Sequence, residues 1–454
     1  MKKWLSLLLV LTLATSLFAG ITSALAEGTP SEIKVWTKDR HDEEFMLKLV
    51  EKFNQENEGK IKIVYEVYSD NYASVVDTAF SVGEEPDLLV TTTGNIATIY
   101  TDKLVDLTPY ITDEFLADQF GDMGIFVEGV NKYGDKIVTL PNTGTTTRLV
   151  VNMDILARVG YDRAPATLAE LVEYTKKITE ELSGEGIYGF ALPLKNPTSG
   201  LQRGIHLAPV LSGAGINLGF DYKAGAYDFT AYKGMLEALK EIFVNEMAFP
   251  GCESLDIDPL RTQFADGKIA MYMTYNHSEW GVYTTQFPSD VNWQYAPLVS
   301  EDGNVVGSQN LSAGTWYAMT EKCADKDAAW KVMEALYDKE VQAEYHSLGL
   351  GVTIRPAVAA IATPPESIAK VPYIAIQPSD KIWPPAPLGF APEGNDWGKD
   401  FGEYIFGVTD DLDGMITALN ERYNTAYEAA IATGVTTKIQ YAEFDAADPA
   451  GTAK

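Results

Sequence analysis

From residue 31 onward the chain switches hydrophobic period repeatedly, from two to about 3.6 and back. Ile33-Lys34-Val35-Trp36 alternates and predicts a short strand. Over Glu43–Glu56 the apolar residues Phe45, Leu47, Leu49, Val50 and Phe53 recur at near-helical spacing, and Gly59 ends that helix. Ile61–Val67 alternates as a second strand, and Tyr72–Val82 is helical again. Residues 86–90 read as a buried strand that stops at the polar loop 91–95. Strands that alternate with helices predict a parallel sheet covered on both faces. Ligands of such sheets bind at the carboxyl ends of the strands, here 36–41, 69–72 and 91–95.

The pattern then loosens. Tyr133-Gly134-Asp135-Lys136 is a turn, and 137–140 and 145–152 are extended and rich in β-branched residues. A second α/β run follows: a helix at Leu168–Leu182, a strand at 187–192, a helix at 232–245 and a strand at 269–274. Residues 311–319 read as extended, 328–337 as helix, and the Pro-rich stretch 364–392 as irregular chain. Leu412–Ala432 is a closing amphipathic helix, and the tail after Ala446 is expected to be loose. Residues 1–26 have a different character. Lys2 and Lys3 precede an apolar run at 5–13 and the small-x-small site Ala24-Leu25-Ala26, which together form a secretion signal. No other stretch approaches the length of a membrane span. Ile21 stands where a lipoprotein would carry its cysteine, so a free exported protein is expected.

Length and charge narrow the class. A chain of 454 residues implies more than one domain. The net charge of −29 argues against nucleic acid or an anionic membrane surface as a partner. Cys252 and Cys323 are the only cysteines, too few for a disulfide scaffold; both sit in surface-like contexts, and whether they pair stays open.

Several motifs stand in a fixed order. They are Ile33-Lys34-Val35-Trp36, Pro86-Asp87-Leu88-Leu89, Leu104-Val105-Asp106-Leu107-Thr108-Pro109-Tyr110, and Tyr133-Gly134-Asp135-Lys136 leading to Leu140-Pro141. Next come Asn152-Met153-Asp154-Ile155-Leu156, Pro165-Ala166-Thr167-Leu168-Ala169-Glu170-Leu171, Phe264-Ala265-Asp266-Gly267-Lys268-Ile269-Ala270-Met271, and Ala313-Gly314-Thr315. With these, the chain resembles a family 1 extracellular solute-binding protein, the class that includes maltose-binding protein. The resemblance implies an α/β, type II periplasmic-binding-protein-like fold: two α/β lobes joined by strand crossovers around a ligand cleft. Lobe 1 would be 27–143 with about 313–362, and lobe 2 about 147–308 with 368–454. The crossings would fall near 142–147, 310–315 and 362–366. The implied partners are a carbohydrate and the permease of an ABC importer, with no cofactor or metal, and the protein is expected to be a monomer.

A sugar offers hydroxyls and apolar C–H faces, so its binder needs aromatic platforms and fixed donors and acceptors. Trp280, just after the strand 269–274, is the first candidate platform, with Asn276 and Glu279 beside it to read hydroxyls. Trp397 is the second, in a region where the family often places an aromatic. Either indole could instead be core packing. The loop bearing Lys38, Asp39 and Arg40 resembles the family's first sugar-contacting loop, and Thr92, Thr93 and Asn95 fill the matching position after the next strand. The family may carry an aromatic and a carboxylate there, so a close maltodextrin match is not expected. Asn142, Thr145, Asn196, Thr198 and Thr315 complete the set. Arg355 would reach the cleft or pair with a surface acid; with Lys38 and Arg40 it leaves room for an acidic sugar. Trp316 is expected to face the core, and Trp383 stays unassigned.

No catalytic constellation accompanies these residues. The four histidines lack zinc spacing, and neither a Gly-x-Ser-x-Gly elbow nor a Walker loop occurs. Asp411-Leu412-Asp413-Gly414 resembles half a calcium loop, but Asn420 stands where the closing Glu belongs, so a turn before the last helix is expected. The expectation is a non-enzymatic, exported sugar-capture protein. The alternatives are a secreted glycoside hydrolase, which two carboxylates would suffice to make, and the same fold binding a peptide or polyamine.

Overall fold

The alternating periods of the first hundred residues fold as a small sheet with helices against it. The computed structural model describes residues 30–453, apart from 69–70, 93–94, 121–124, 206, 298, 365, 370 and 388. The secretion signal expected at 1–26 lies outside the described residues. Chain contacts divide the molecule into two compact units: Met1–Tyr110 with Tyr317–Asp338, and Ile111–Trp316 with Lys339–Lys454.

The first unit is built on a four-stranded sheet in the order Tyr317–Met319, Leu88–Val90, Ser31–Thr37, Ile61–Val67. Ser31–Thr37 runs parallel to both neighbours, in register from Ser31 opposite Ile61 to Thr37 opposite Val67. Tyr317–Met319 returns from far along the chain and pairs antiparallel. The helix Glu43–Glu56 buries Met46, Val50 and Phe53, a seam of four- and three-residue steps. The helix Lys326–Tyr337 starts on Asp325, whose side chain accepts the Ala328 amide.

The second unit has a mixed sheet in the order Trp293–Ala296, Thr147–Asn152, Ile269–Tyr275, Tyr188–Ala191. Its central strand Ile269–Tyr275 runs antiparallel to Thr147–Asn152 and parallel to Tyr188–Ala191. The helix Leu168–Leu182 is stopped onto this sheet by Leu171, Tyr174, Thr175 and Ile178. Contact is backbone-close: a Cβ on Gly189 would fall 2.4 Å from the Thr175 Cα. Helices Lys233–Val244, Trp397–Ile405 and Leu412–Ala432 complete this unit's core.

Three expectations are corrected. The tail is docked: Phe444 stacks on Tyr222 with ring centres 4.6 Å apart, Ser308 donates to the Ala446 carbonyl, and Ala453 is buried. Cys252 and Cys323 are buried free thiols rather than surface residues. Residues 311–319 are not one extended strand: short strands lie at Gln309–Asn310 and Tyr317–Met319, and the former pairs with Asp380–Lys381 in the Pro-rich stretch. As expected, Trp316 is buried, and Asp411 accepts the Gly414 amide at the start of the last helix.

Candidate functional site

In the first unit the carboxyl ends of the strands carry a polar loop. Lys38 Nζ lies 2.6 Å from Asp39 Oδ1. The Asp39 amide donates to Thr37 Oγ1 at 3.0 Å, so a local turn fixes the backbone that carries the carboxylate. Arg40 is exposed, and Asp42 is buried at the start of the next helix. Burial, together with the charges of Asp42 and Asp39, pushes the Tyr65 phenol well above its ordinary value. Thr92 and Asn95 are exposed, Asn95 in the left-handed region at φ 54°; Thr93 lies outside the described residues.

Sequence reasoning passed over a second cluster here. The Trp36 indole donates to Glu66 Oε2 at 2.5 Å, and its ring centre lies 4.8 Å from that of Tyr68. Trp36 and Glu66 sit opposite each other across the two strands. That register, invisible in a single sequence, is what brings them together.

In the second unit the strand Ile269–Tyr275 runs into a loop with a fixed backbone. Asn276 is fully buried; its Oδ1 accepts the Thr146 amide at 3.0 Å and its Nδ2 donates to the Ile374 carbonyl at 2.7 Å. Glu279 is also fully buried, ion-paired to Arg261 with Nε 2.8 Å from Oε2. Burial pushes the Glu279 carboxyl up, opposed by the Arg261 charge. Trp280 follows, half-buried, and a π-helical turn, Val282–Gln286, comes next. Such turns are frequent at functional sites. Asn276, Glu279 and Trp280 thus share one loop, although Asn276 hydrogen-bonds the protein itself and Glu279 is ion-paired to Arg261. Arg261, the partner of Glu279, comes from an earlier helix, and no spacing in the sequence announces it.

The remaining candidates fall into three places in this unit. Asn142 is buried, donating to Gln342 Oε1 at 2.8 Å and accepting from Arg355 Nη1 at 3.3 Å. Arg355 has no exposed surface, and its guanidinium lies 5.7 Å from the centre of the Phe120 ring. Asn142 and the Phe120 face are among its contacts. Thr145 is half-buried, bridged by backbone to Ser312, with Oγ1 3.2 Å from His277 Nδ1; Thr315 is half-buried nearby in sequence to that strand partner. Asn196 accepts the Ser199 amide at the start of a short helix, and Thr198 donates to Asp396 Oδ2 at 2.8 Å. Trp397 is buried beside Phe401, with ring centres 5.5 Å apart. Trp383 is buried too, its indole donating to Ser308 Oγ at 3.1 Å.

Residues 48–373 match the family model described as bacterial extracellular solute-binding protein. The chain belongs to that family. Solved structures share the fold of this solute-binding protein at low identity. The sugar-binding protein MalE from Xanthomonas citri is 19% identical with a TM-score of 0.68, over 89% of this chain and 99% of that one. Apo RafE from Streptococcus pneumoniae is 15% identical with a TM-score of 0.67, over 88% and 98%. A solute-binding protein from Thermotoga lettingae, bound with α-D-tagatose, is 19% identical with a TM-score of 0.60, over 87% and 99%. No curated protein matches the sequence of this solute-binding protein. Among the described residues, no helix is long and apolar enough to cross a membrane, and no group of three His, Cys, Asp or Glu side chains is placed to hold a metal ion.

Proposed function

We propose that this solute-binding protein captures a carbohydrate outside the cytoplasm and delivers it to the permease of an ABC-type importer. It does so by closing two lobes over the ligand, and it makes or breaks no bond. The lobes are 27–143 with about 313–362 and about 147–308 with 368–454, with crossings near 142–147, 310–315 and 362–366. The ligand favours the closed state through contacts that the open state lacks. The family membership supports capture, and the sugar-binding MalE and the tagatose-bound relative support the ligand class. The protein acts as a monomer and has no nucleic-acid partner, in keeping with its net charge of −29.

One observation carries the sugar reading: Trp280 is half-buried just after a central strand, on a loop in which Asn276, Ser278 and Glu279 are anchored. A rigid, partly exposed indole is what a sugar's C–H face requires. The ligand is read as uncharged. Lys38 already pairs with Asp39, and Arg355 already donates to Asn142, so an anionic sugar would have to displace an existing partner.

The test is calorimetric titration of the mature protein with mono- and oligosaccharides, each neutral sugar beside its uronic acid. Tight binding without turnover, reduced at least tenfold in Trp280→Ala, supports the reading. Product formation would move the chain to the hydrolases, and a response only to peptides or polyamines would remove the sugar.

A further inference from the structure

Glu279 sits next to Trp280 in the chain yet has no exposed surface. Its carboxylate is held by the fork of one guanidinium: Arg261 Nη2 donates to Oε1 at 2.9 Å and Nε to the same oxygen at 3.2 Å, with Nε 2.8 Å from Oε2. The Glu279 amide donates to the Tyr295 hydroxyl at 3.1 Å, from the edge strand Trp293–Ala296. Arg261 also donates from Nη2 to Ser278 Oγ at 3.0 Å and from Nη1 to Asp258 Oδ1 at 3.0 Å. One guanidinium thus ties both residues that precede Trp280 to the helix Ile257–Ala265. A second arginine lies close by. Arg203 donates to Thr274 Oγ1 at 2.9 Å and places its guanidinium 5.0 Å from the centre of the Tyr275 ring.

Burying an ion pair costs desolvation that its Coulomb energy barely offsets, so it is a weak device for stability. It is a strong device for geometry, because the planar fork of arginine accepts a carboxylate in one orientation. A hydrophobic pair would fill the same space without fixing the backbone of 278 and 279.

We propose that Glu279 and Arg261 are positioning residues: they touch no ligand and act through Trp280, fixing the orientation of its indole for stacking. This rests on Trp280 being the ligand platform, but the brace itself is measurable without any ligand.

The experiment uses the mature protein labelled with 5-fluorotryptophan, the Trp280 signal being assigned by its loss in Trp280→Phe. In Glu279→Gln and in Arg261→Lys, which keeps the charge and loses the fork, the Trp280 fluorine resonance is expected to shift or split. The Trp383 and Trp397 resonances stay in place. A general loss of packing would move all three, so selective movement separates positioning from mere structure, and Arg261→Lys covers the case in which Glu279→Gln fails to fold. With maltotriose, raffinose and xylotriose as probes, any that binds the parent protein should bind both variants about tenfold more weakly or worse. A Trp280 resonance that stays at its parent position in both variants overturns the proposal. A displaced Trp280 with no saccharide binding even to the parent would leave the brace standing and remove the sugar instead.

Discussion

A Cβ placed on Gly349 would fall 2.1 Å from Cζ2 of Trp280. The indole therefore packs directly against this backbone, and nothing larger than glycine fits beneath it. Gly349 also lies in the left-handed region at φ 72°. Gly349→Ala combines left-handed strain of about 1–2 kcal/mol with overpacking of about 1–3 kcal/mol. The expected result is a lower thermal midpoint together with an altered tryptophan emission maximum. Both are read in one melting experiment followed by circular dichroism and fluorescence. A variant with parent-like emission would show that the indole does not rest on Gly349.

A second buried ion pair ties the Pro-rich stretch to the sheet of the same unit. Arg148 Nη2 lies 2.6 Å from Asp380 Oδ2, Nη1 donates to Oδ1 at 3.1 Å, and Nε donates to the Tyr373 carbonyl at 2.9 Å. Both side chains are fully covered. Asp380→Leu leaves the arginine charge buried without its partner, which costs about 3–5 kcal/mol. Arg148→Met with Asp380→Leu removes both charges and should recover much of that loss. Urea unfolding of the parent, Asp380→Leu, Arg148→Met and the double variant checks this. A double variant that loses the sum of the two single losses would mean the pair is not coupled.

The two thiols give a chemical test of packing. Burial pushes both Cys252 and Cys323 up to about 12. At pH 8 the native protein should react with Ellman's reagent hardly at all, and should release two equivalents once guanidinium is added. No thiol in the denatured sample would mean that the cysteines pair; rapid native reaction would mean that they are exposed.

Local physics made much of the architecture legible in the sequence. Glu43–Glu56, Tyr72–Val82, Leu168–Leu182 and Leu412–Ala432 have the bounds that their periodicity and caps indicate. Those signals are local and need no partner. The strand Trp293–Ala296 and the docking of Phe444 on Tyr222 were not legible, because each depends on a partner distant in sequence. The site divides in the same way. The place of Trp280 after a strand could be read, whereas the Arg261 fork that holds Glu279 could not, since 18 residues and a change of element separate the two. Lys38 shows the converse: its type allowed either sugar hydroxyls or an anionic group as partner, and what its ammonium meets in the fold is the neighbouring Asp39, 2.6 Å away. Residue type supplies candidate chemistry, but the partner decides whether that chemistry is available.

One pair on the second unit sets an acid limb of stability. Glu170 lies in the first turn of the helix Leu168–Leu182; its amide donates to Thr167 Oγ1 at 3.0 Å, and its Oε2 accepts the Ala166 amide at 2.7 Å. Arg163 closes a fork on the carboxylate, with Nη2 2.5 Å from Oε1 and Nη1 donating to Oε2 at 2.9 Å. The Arg163 hydrogen bonds, then the Ala166 amide, hold the Glu170 carboxyl at about 2. Its unfolded value is roughly 4.3. Because the folded value is the lower one, the unfolded state takes up the proton first as pH falls. The contribution is therefore complete above about pH 4.5 and is lost as pH drops through 4 towards 2. The pair is partly exposed, so its size should stay below about 1 kcal/mol. The difference in unfolding free energy between the parent and Glu170→Gln should be largest at neutral pH and shrink across that window. A difference that stays constant from pH 7 to pH 3 would assign the effect of the substitution to the helix start alone and not to the charge of Glu170.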